Sequence, residues 1–300
     1  MNKAKQEYYS KNYFAHGDGQ AALAQVPSNF VDLVLTDPPY GIANNAKLTK
    51  VKDKIVSTQQ AWGADFNDSW TTIEDYYDWL KPFIEQFVRV MKDNGSLILF
   101  LDRKYTGLIV HYLERDFKLN FKNKIYFKKK NPVPSIRKNN YRSTVEEAVW
   151  FTKGKQYTFN FGPQAEMVQF YEGPIGRKQT QHPTEKYGWM IEPLIKNHTR
   201  PGDVVLDAFA GSATTLVIAK KHACHAIGFE KDKRFYEMAK ARMQQEQLEL
   251  AFYAPGNEAQ IVRELDKLMD TELVHVQCNV SSAANSALEP QPFHGVRMAY

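Results

Sequence analysis

Two apolar runs that each stop abruptly constrain this chain more than any other feature of its sequence. The first is NFVDLVLTDPPYG at 29–41, which ends on two prolines; the second is DVVLDAFAGSATT at 203–215, which ends on a glycine turn. Near-continuous apolar runs suit strands buried on both faces, and such strands belong to parallel sheets covered by helices. Pro38 and Pro39 have no N–H to give a ladder, so the first strand must end where they begin. Around these runs, helical and strand-like periods alternate. DYYDWLKPFIEQFVRVMKDNG reads as a helix closed by Asn94-Gly95, SLILFLD as a strand, TGLIVHYLERDF as a helix, and KNKIYFKKK and VEEAVWFTK as strands. Further on, EKYGWMIEPLIKNHT is helical, GSATTLVIAKK a turn entering a helix, HAIGFE a strand and KDKRFYEMAKARMQQEQ a helix. The alternation predicts an α/β fold on a doubly wound, mostly parallel sheet.

Length alone, 300 residues, corresponds to roughly two average domains. The alternating pattern runs unbroken to about residue 250, so 1–250 is expected to be one domain, with 251–300 a C-terminal helix and a poorly ordered tail. Residues 41–70 show no sustained period and read as a long functional loop or lid carrying Trp62, Phe66 and Trp70. Two cysteines, Cys224 and Cys278, make no disulfide framework, and no His/Cys cluster has metal-ligand spacing, so no metal is expected. Neither an apolar leader nor an 18-residue apolar window is present, which points to the cytoplasm and away from a membrane.

The net charge of +5 is too mild to name a partner, but its distribution is informative. Between Arg103 and Lys155 stand fourteen Lys/Arg and four Asp/Glu, whereas Gln244 to Glu272 carries seven acids and two bases. A mixed-sign solvated surface would not separate its charges in this way. The basic stretch is read as facing a polyanion.

Each abrupt strand end is a candidate site. At Asp207, Phe209 and Gly211 an apolar strand gives way to a glycine turn and a helix start, where unpaired N–H groups attract ligands in open α/β sheets. The next strand ends in Glu230, placed to accept hydrogen bonds from ribose hydroxyls. G-x-G-x-x-G is missing, which argues against a dinucleotide. At Asp37-Pro38-Pro39-Tyr40, the rigid turn presents a carboxylate and carbonyls as an acceptor surface, with an aromatic face beside it. Acceptors of this kind can hold both hydrogens of an exocyclic aromatic amine and leave its nitrogen lone pair free to attack an electrophile. Taken alone, this turn is equally well explained as a strand terminator.

The ordered set is more specific than any member. With Asp18 in HGDG, TDPPYG at 36–41, HPTEK at 182–186, DAFAGSATT at 207–215 and GFE at 228–230, the chain resembles the S-adenosylmethionine-dependent DNA amino-methyltransferases. The arrangement is the permuted one of their beta group, in the adenine-N6 type, and IYFKKKNPVPSIRKNNYRSTVEEAVWFTKGK resembles that family's intervening stretch. The match covers roughly residues 14 to 245. The resemblance implies a Rossmann-like methyltransferase fold, S-adenosylmethionine as cofactor and DNA, read as double-stranded, as substrate. It implies that Asp37, Pro38, Pro39 and Tyr40 hold and stack a flipped adenine. Phe209 and Gly211, with Asp207 before them, would form the cofactor turn, Glu230 would take the ribose and Asp18 the cofactor adenine, and Thr184 and Lys186 would stand near the methionine end. His182 is read as structural. Tyr187 replaces the proline that commonly follows HPTEK in the family.

Lys128, Lys129, Lys130, Arg137, Lys138 and Arg142 are nominated to hold DNA phosphates, and 103–181, together with the 41–70 loop, to read the target. No Pro-Cys dipeptide is present, so the thiolate addition needed for carbon-5 methylation of cytosine lacks its nucleophile, and no P-C-x-x-C is present for zinc deamination. Two rivals remain at this stage: methylation of cytosine N4 on the same fold, and a catalytically silent nucleic-acid-binding module. Homodimerisation and a restriction-modification role are left as expectations.

Overall fold

The computed structural model describes residues 13–39, 47–51, 54–58, 70–132, 134–135, 138–176, 180 and 185–252. Its strands are β1 (Tyr13–His16), β2 (Val31–Thr36), β3 (Lys47–Val51), β4 (Lys54–Thr58), β5 (Met91–Leu101), β6 (Asn120–Lys129), β7 (Val145–Thr152), β8 (Phe170–Gly173), β9 (Val204–Asp207) and β10 (His225–Glu230). Its helices are α1 (Gly19–Leu23), α2 (Ile73–Val90), α3 (Thr106–Phe117), α4 (Gly188–His198), α5 (Thr214–Lys221) and α6 (Lys233–Phe252). Eight strands form one sheet in the order β1-β10-β9-β2-β5-β7-β6-β8. From β1 to β5 every pairing is parallel; β7 then runs antiparallel to β5 and to β6, and β8 returns parallel to β6. The doubly wound, mostly parallel sheet expected from the sequence is present, with an antiparallel insertion at the basic end.

Beyond the register shift near Val31, strand residues divide by parity. Val34, Leu97, Leu99, Leu206, Ile227 and Phe229 face one apolar cluster, and their neighbours Leu33, Leu35, Ile98, Phe100, Val205 and Ala226 face another. Successive side chains on a strand point to opposite faces, so a near-continuous apolar run is what two covered faces require. On the first face lies α2, whose Tyr76, Leu80, Phe83, Ile84 and Phe87 form a buried stripe. A capping box starts this helix: Thr72 accepts from the Asp75 amide at 3.0 Å, and Asp75 accepts from the Thr72 amide at 2.9 Å. On the other face α4 presents Met190, Ile191, Leu194 and Ile195, and α5 presents Leu216 and Ala219.

Three sequence expectations are corrected. The helix read as closing at Asn94-Gly95 ends at Val90, and β5 begins directly at Met91. Arg89 in the last turn binds the carbonyls of Leu23 and Val26, and the amide of Met91 bonds Phe87, so the end is secured without a glycine. Asn94-Gly95 instead lies in a register shift of β5 against β2, between the pairs Val31–Met91 and Leu33–Ser96. The second correction concerns 41–70, where β3 and β4 pair antiparallel as a hairpin. Trp70 packs on Tyr76 and Trp79 at 5.0 and 4.9 Å between ring centres, whereas Trp62 and Phe66 lie outside the described residues. Third, the sheet includes β1 and β8, four-residue strands too short to show a period in the sequence. Contacts divide the chain into the units Met1–Leu250 and Ala251–Tyr300.

Gly228 shows how closely helix and sheet approach. A Cβ placed there would lie 2.4 Å from Leu216 Cδ1 on α5. Gly228→Ala is therefore expected to cost about 1–3 kcal/mol through overpacking, read as a lower urea midpoint at unchanged slope; an unaltered midpoint would show that α5 has room to shift.

Candidate active site

Because β1, β10, β9, β2 and β5 are parallel, their C-terminal ends share one edge of the sheet. The antiparallel strands deliver more to the same edge: β7 begins there, with Glu147 opposite Leu101, and the β6–β7 connection leaves there, with Lys128 opposite Val145. β8 also ends there, with Gly173 opposite Lys129. From β9 the chain winds outward to β10, and from β2 it winds the other way to β5, so the winding reverses between β9 and β2. Ligands in open α/β sheets bind at such a reversal. Both abrupt strand ends noted in the sequence meet at it.

They are joined by a hydrogen bond. The Thr36 hydroxyl donates to Asp207 Oδ1 at 2.6 Å, and the Phe209 amide donates to the same oxygen at 3.1 Å. Burial pushes the Asp207 carboxyl up to about 6, against the pull of these donors. Beyond it, Gly211 takes φ +51° and Ala213 φ +60°, and α5 starts at Thr214 without a side-chain cap among the described residues. The Gly211 amide donates to Glu230 Oε2 and the Asp232 amide to Glu230 Oε1, both at 2.8 Å, and burial raises the Glu230 carboxyl. Next to Glu230, the Gly17 amide donates to its carbonyl at 2.9 Å, and Asp18 caps α1 by accepting from the Gln20 amide at 3.0 Å. Phe209 rests on Phe83, 4.9 Å between ring centres. Asp18, Asp207, Phe209, Gly211 and Glu230 thus come together, linked strand end to strand end. Thr184 and His182 lie outside the described residues.

At the other strand end, Asp37 Oδ2 lies 2.7 Å from the Lys186 ammonium. That ammonium is 3.0 Å from Glu146 Oε2 and 4.9 Å from the centre of the Phe100 ring. Glu146 Oε1 in turn pairs with Lys129 at 2.5 Å. Burial alone would raise the Glu146 carboxyl, but the two ammonium groups outweigh it and hold it down at about 2. Pro38 and Pro39 follow Asp37 as the sequence requires, and Tyr40 lies outside the described residues.

Sequence reasoning missed Glu146. Its signal was two adjacent glutamates opening an apolar strand, VEEAVWFT: on a strand they must face opposite ways. Glu147 accepts from the Thr106 hydroxyl at 2.6 Å, and Glu146 turns the other way, to the lysines. Also missed was Glu185 in HPTEK, a buried carboxylate that accepts from the Thr180 amide and hydroxyl at 2.9 and 2.7 Å and pairs with Arg242 at 3.2 Å. Arg242, from α6, reaches the Ser212 carbonyl at 2.9 Å and the Thr214 hydroxyl at 3.0 Å, which braces the turn after Gly211 from behind.

The nominated basic residues divide. Lys129 is turned to Glu146, and Lys128 pairs with Glu172 at 2.6 Å on an exposed surface. Lys130, Lys138 and Arg142 are exposed on the connection at the site edge, where Arg142 also donates to the Pro132 carbonyl; Arg137 lies outside the described residues. Between them Tyr141 is 97% exposed. Among the described residues no cluster of His, Cys, Asp or Glu could hold a metal ion, and no helix is long and apolar enough to cross a membrane.

Residues 31–241, from β2 into α6, match the DNA methylase family of N6 and N4 methyltransferases. The chain belongs to that family. It is a DNA methyltransferase. It is 26% identical over 256 residues to the type II methyltransferase M2.DpnII of Streptococcus pneumoniae, covering 80% of this chain and 92% of the relative. M2.LlaDCHI of Lactococcus lactis subsp. cremoris is 27% identical over 255 residues, covering 79% and 91%. The M1.HpyAVI–SAM complex superposes with a TM-score of 0.59 at 25% identity, over 77% of this chain and 98% of that one. The cytosine-N4-specific PvuII DNA methyltransferase shares the fold, with a TM-score of 0.62 at 17% identity over 88% and 95%.

Asp207 gives this methyltransferase a pH signature. Its folded carboxyl, at about 6, binds a proton more tightly than the ordinary aspartate of the unfolded chain, at about 4. The native state therefore holds more protons over that interval, and stability falls as pH rises through about 6, by up to roughly 3 kcal/mol. Asp207→Asn keeps an acceptor for Thr36 and removes the titration. Urea midpoints of the two proteins should diverge between about pH 4 and 6, the variant gaining relative to wild type as pH rises; parallel curves would contradict the assignment.

Proposed function

We propose that this enzyme methylates N6 of an adenine flipped out of duplex DNA, with S-adenosylmethionine as methyl donor. The observation that carries the reading is the Thr36–Asp207 hydrogen bond, which fixes an acceptor turn beside a cofactor turn at the reversal of the sheet. The cofactor side fits the donor: the left-handed turn at Gly211 and the open start of α5 admit a close approach, and Glu230 stands at a strand end with carboxylate lone pairs for ribose hydroxyls. Bound there, S-adenosylmethionine supplies a methyl group activated by its sulfonium. Asp18 is proposed to accept from the cofactor's adenine amine, and Thr184 and Lys186 to stand toward its methionine end.

On the catalytic side, the Asp37 carboxylate and the Pro38 carbonyl accept the two N–H hydrogens of the amine. Held in that way, the nitrogen pyramidalises and its lone pair attacks the methyl carbon in line, forming N–C as S–C breaks. The proton then leaves the nitrogen for Asp37 or water. Asp37 orients rather than deprotonates beforehand, because an ordinary carboxylate near pKa ~4 is too weak a base for a neutral aryl amine. Most of the rate acceleration is then positional. Tyr40 provides the stacking face. Rotating the base out of the duplex costs a few kcal/mol, which Lys130, Lys138 and Arg142 offset through phosphates. The preference for adenine rests on Asp, rather than Ser, before Pro-Pro-Tyr; the fold does not separate the two bases, since a cytosine-N4 enzyme shares it. The type II designation of its relatives supports a modification role in restriction-modification.

Asp37→Ala should lower labelled-methyl incorporation into adenine-containing duplex by at least ~100-fold and leave cofactor affinity close to wild type. Wild-type turnover would refute the catalytic role, and incorporation into cytosine-only sites would shift the substrate to N4. Replacing Lys130, Lys138 and Arg142 together by glutamate should weaken DNA binding and reduce the slope of log affinity against log salt by about 2–3. An unchanged slope would mean that this edge does not meet phosphates.

A further inference from the structure

We propose that Glu146 is a positioning residue for methyl transfer: acting through Lys186, it holds the Asp37 carboxylate in place and keeps its negative charge available to the substrate. The inference rests on the methyl-transfer reading of Asp37. Four charged groups alternate in sign across four segments of the chain: Asp37 after β2, Lys186 ahead of α4, Glu146 on β7 and Lys129 on β6. The successive separations are 2.7, 3.0 and 2.5 Å. A lysine facing Asp37 alone would neutralise the carboxylate and draw it away from an incoming amine. Sharing the ammonium with Glu146 prevents that, because part of its field is spent on the second carboxylate. The nitrogen that accepts the methyl group becomes positively charged before it loses its proton, so a carboxylate that retains its charge stabilises the transition state.

Position follows the same logic. Lys186 has a flexible four-carbon stem, and its ammonium is fixed at its far end by Glu146 and by the face of Phe100. Glu146 is rigid because β7 is paired on both sides, to β5 and β6. Lys129 completes the chain by balancing Glu146, which allows the latter to stay ionised while buried. The glutamate touches none of the atoms that react; its effect reaches them only through the lysine.

The test is a double-mutant cycle in the full-length protein, with steady-state kinetics on a methylatable duplex. Glu146→Gln should lower kcat roughly ten- to a hundredfold, with KM for S-adenosylmethionine unchanged within about twofold. In a Lys186→Met background the same substitution should add little, since the path runs through the lysine. Glu146→Asp, which keeps the charge but withdraws it from Lys186, should lose less activity, and it keeps the question answerable if the glutamine variant does not fold. Wild-type kcat in folded Glu146→Gln or Glu146→Asp, or losses for Glu146→Gln and Lys186→Met that multiply, would overturn the inference and leave Glu146 a structural charge. Asp37→Ala measured alongside separates the two failures: if that variant turns over normally, the reading of Asp37 falls, whereas an inactive Asp37→Ala beside a fully active Glu146→Gln removes only the role of Glu146.

Discussion

The hydrogen bond from Thr36 to Asp207 crosses the position among the parallel strands where the direction of winding reverses. Its two residues are 171 positions apart, yet the bond is 2.6 Å long and buried. It depends on the parallel register of β2 and β9, in which Leu33 meets Val205 and Val34 meets Leu206. A slip of one residue would turn each apolar side chain to the wrong face and would also separate the two strand ends. Core packing and site geometry are therefore enforced by the same register.

Charge is handled differently on the two sides of this bond. Toward the Gly211 turn, carboxylates are satisfied by backbone amides: Phe209 for Asp207, and Gly211 and Asp232 for Glu230. Amides are fixed dipoles that cost no side-chain entropy and carry no net charge. Toward the Asp37 turn, carboxylates are satisfied by lysines. Those are mobile full charges, and the chain supplies as many acids as bases to contain them. One half of the site is held by the backbone and the other by an electrostatic balance.

Much of this was legible in the sequence where the signal was local. The helix TGLIVHYLERDF and the strand HAIGFE occupy the residues their periods mark, and the two strand ends stand out through proline and glycine chemistry. What could not be read was non-local. Lys129 has the same neighbours in sequence as Lys128 and Lys130, and only the pleat of β6 and its pairing with β7 turn it to Glu146. Arg242 resembles any other base on a polar helix until α6 is docked beside the cofactor turn. β1 has too few residues to show a period, and it is held by pairing to β10. The Asn94-Gly95 signal was real turn chemistry, used for a register shift inside a strand rather than for a helix end.

The brace formed by Arg242 has a consequence for how such a chain can change. The guanidinium reaches Glu185, Ser212 and Thr214, so the segment entering α4 and the turn entering α5 are both referenced to a helix that follows them in the chain. During synthesis neither is fully supported until α6 has left the ribosome, which makes assembly of these two segments a late event in the life of each molecule. The same dependence bears on where the chain can be shortened or joined to another domain: Met243 packs against the core and Glu246 pairs with Lys221 at 2.6 Å, so the stretch the fold needs runs past Arg242 to Glu246.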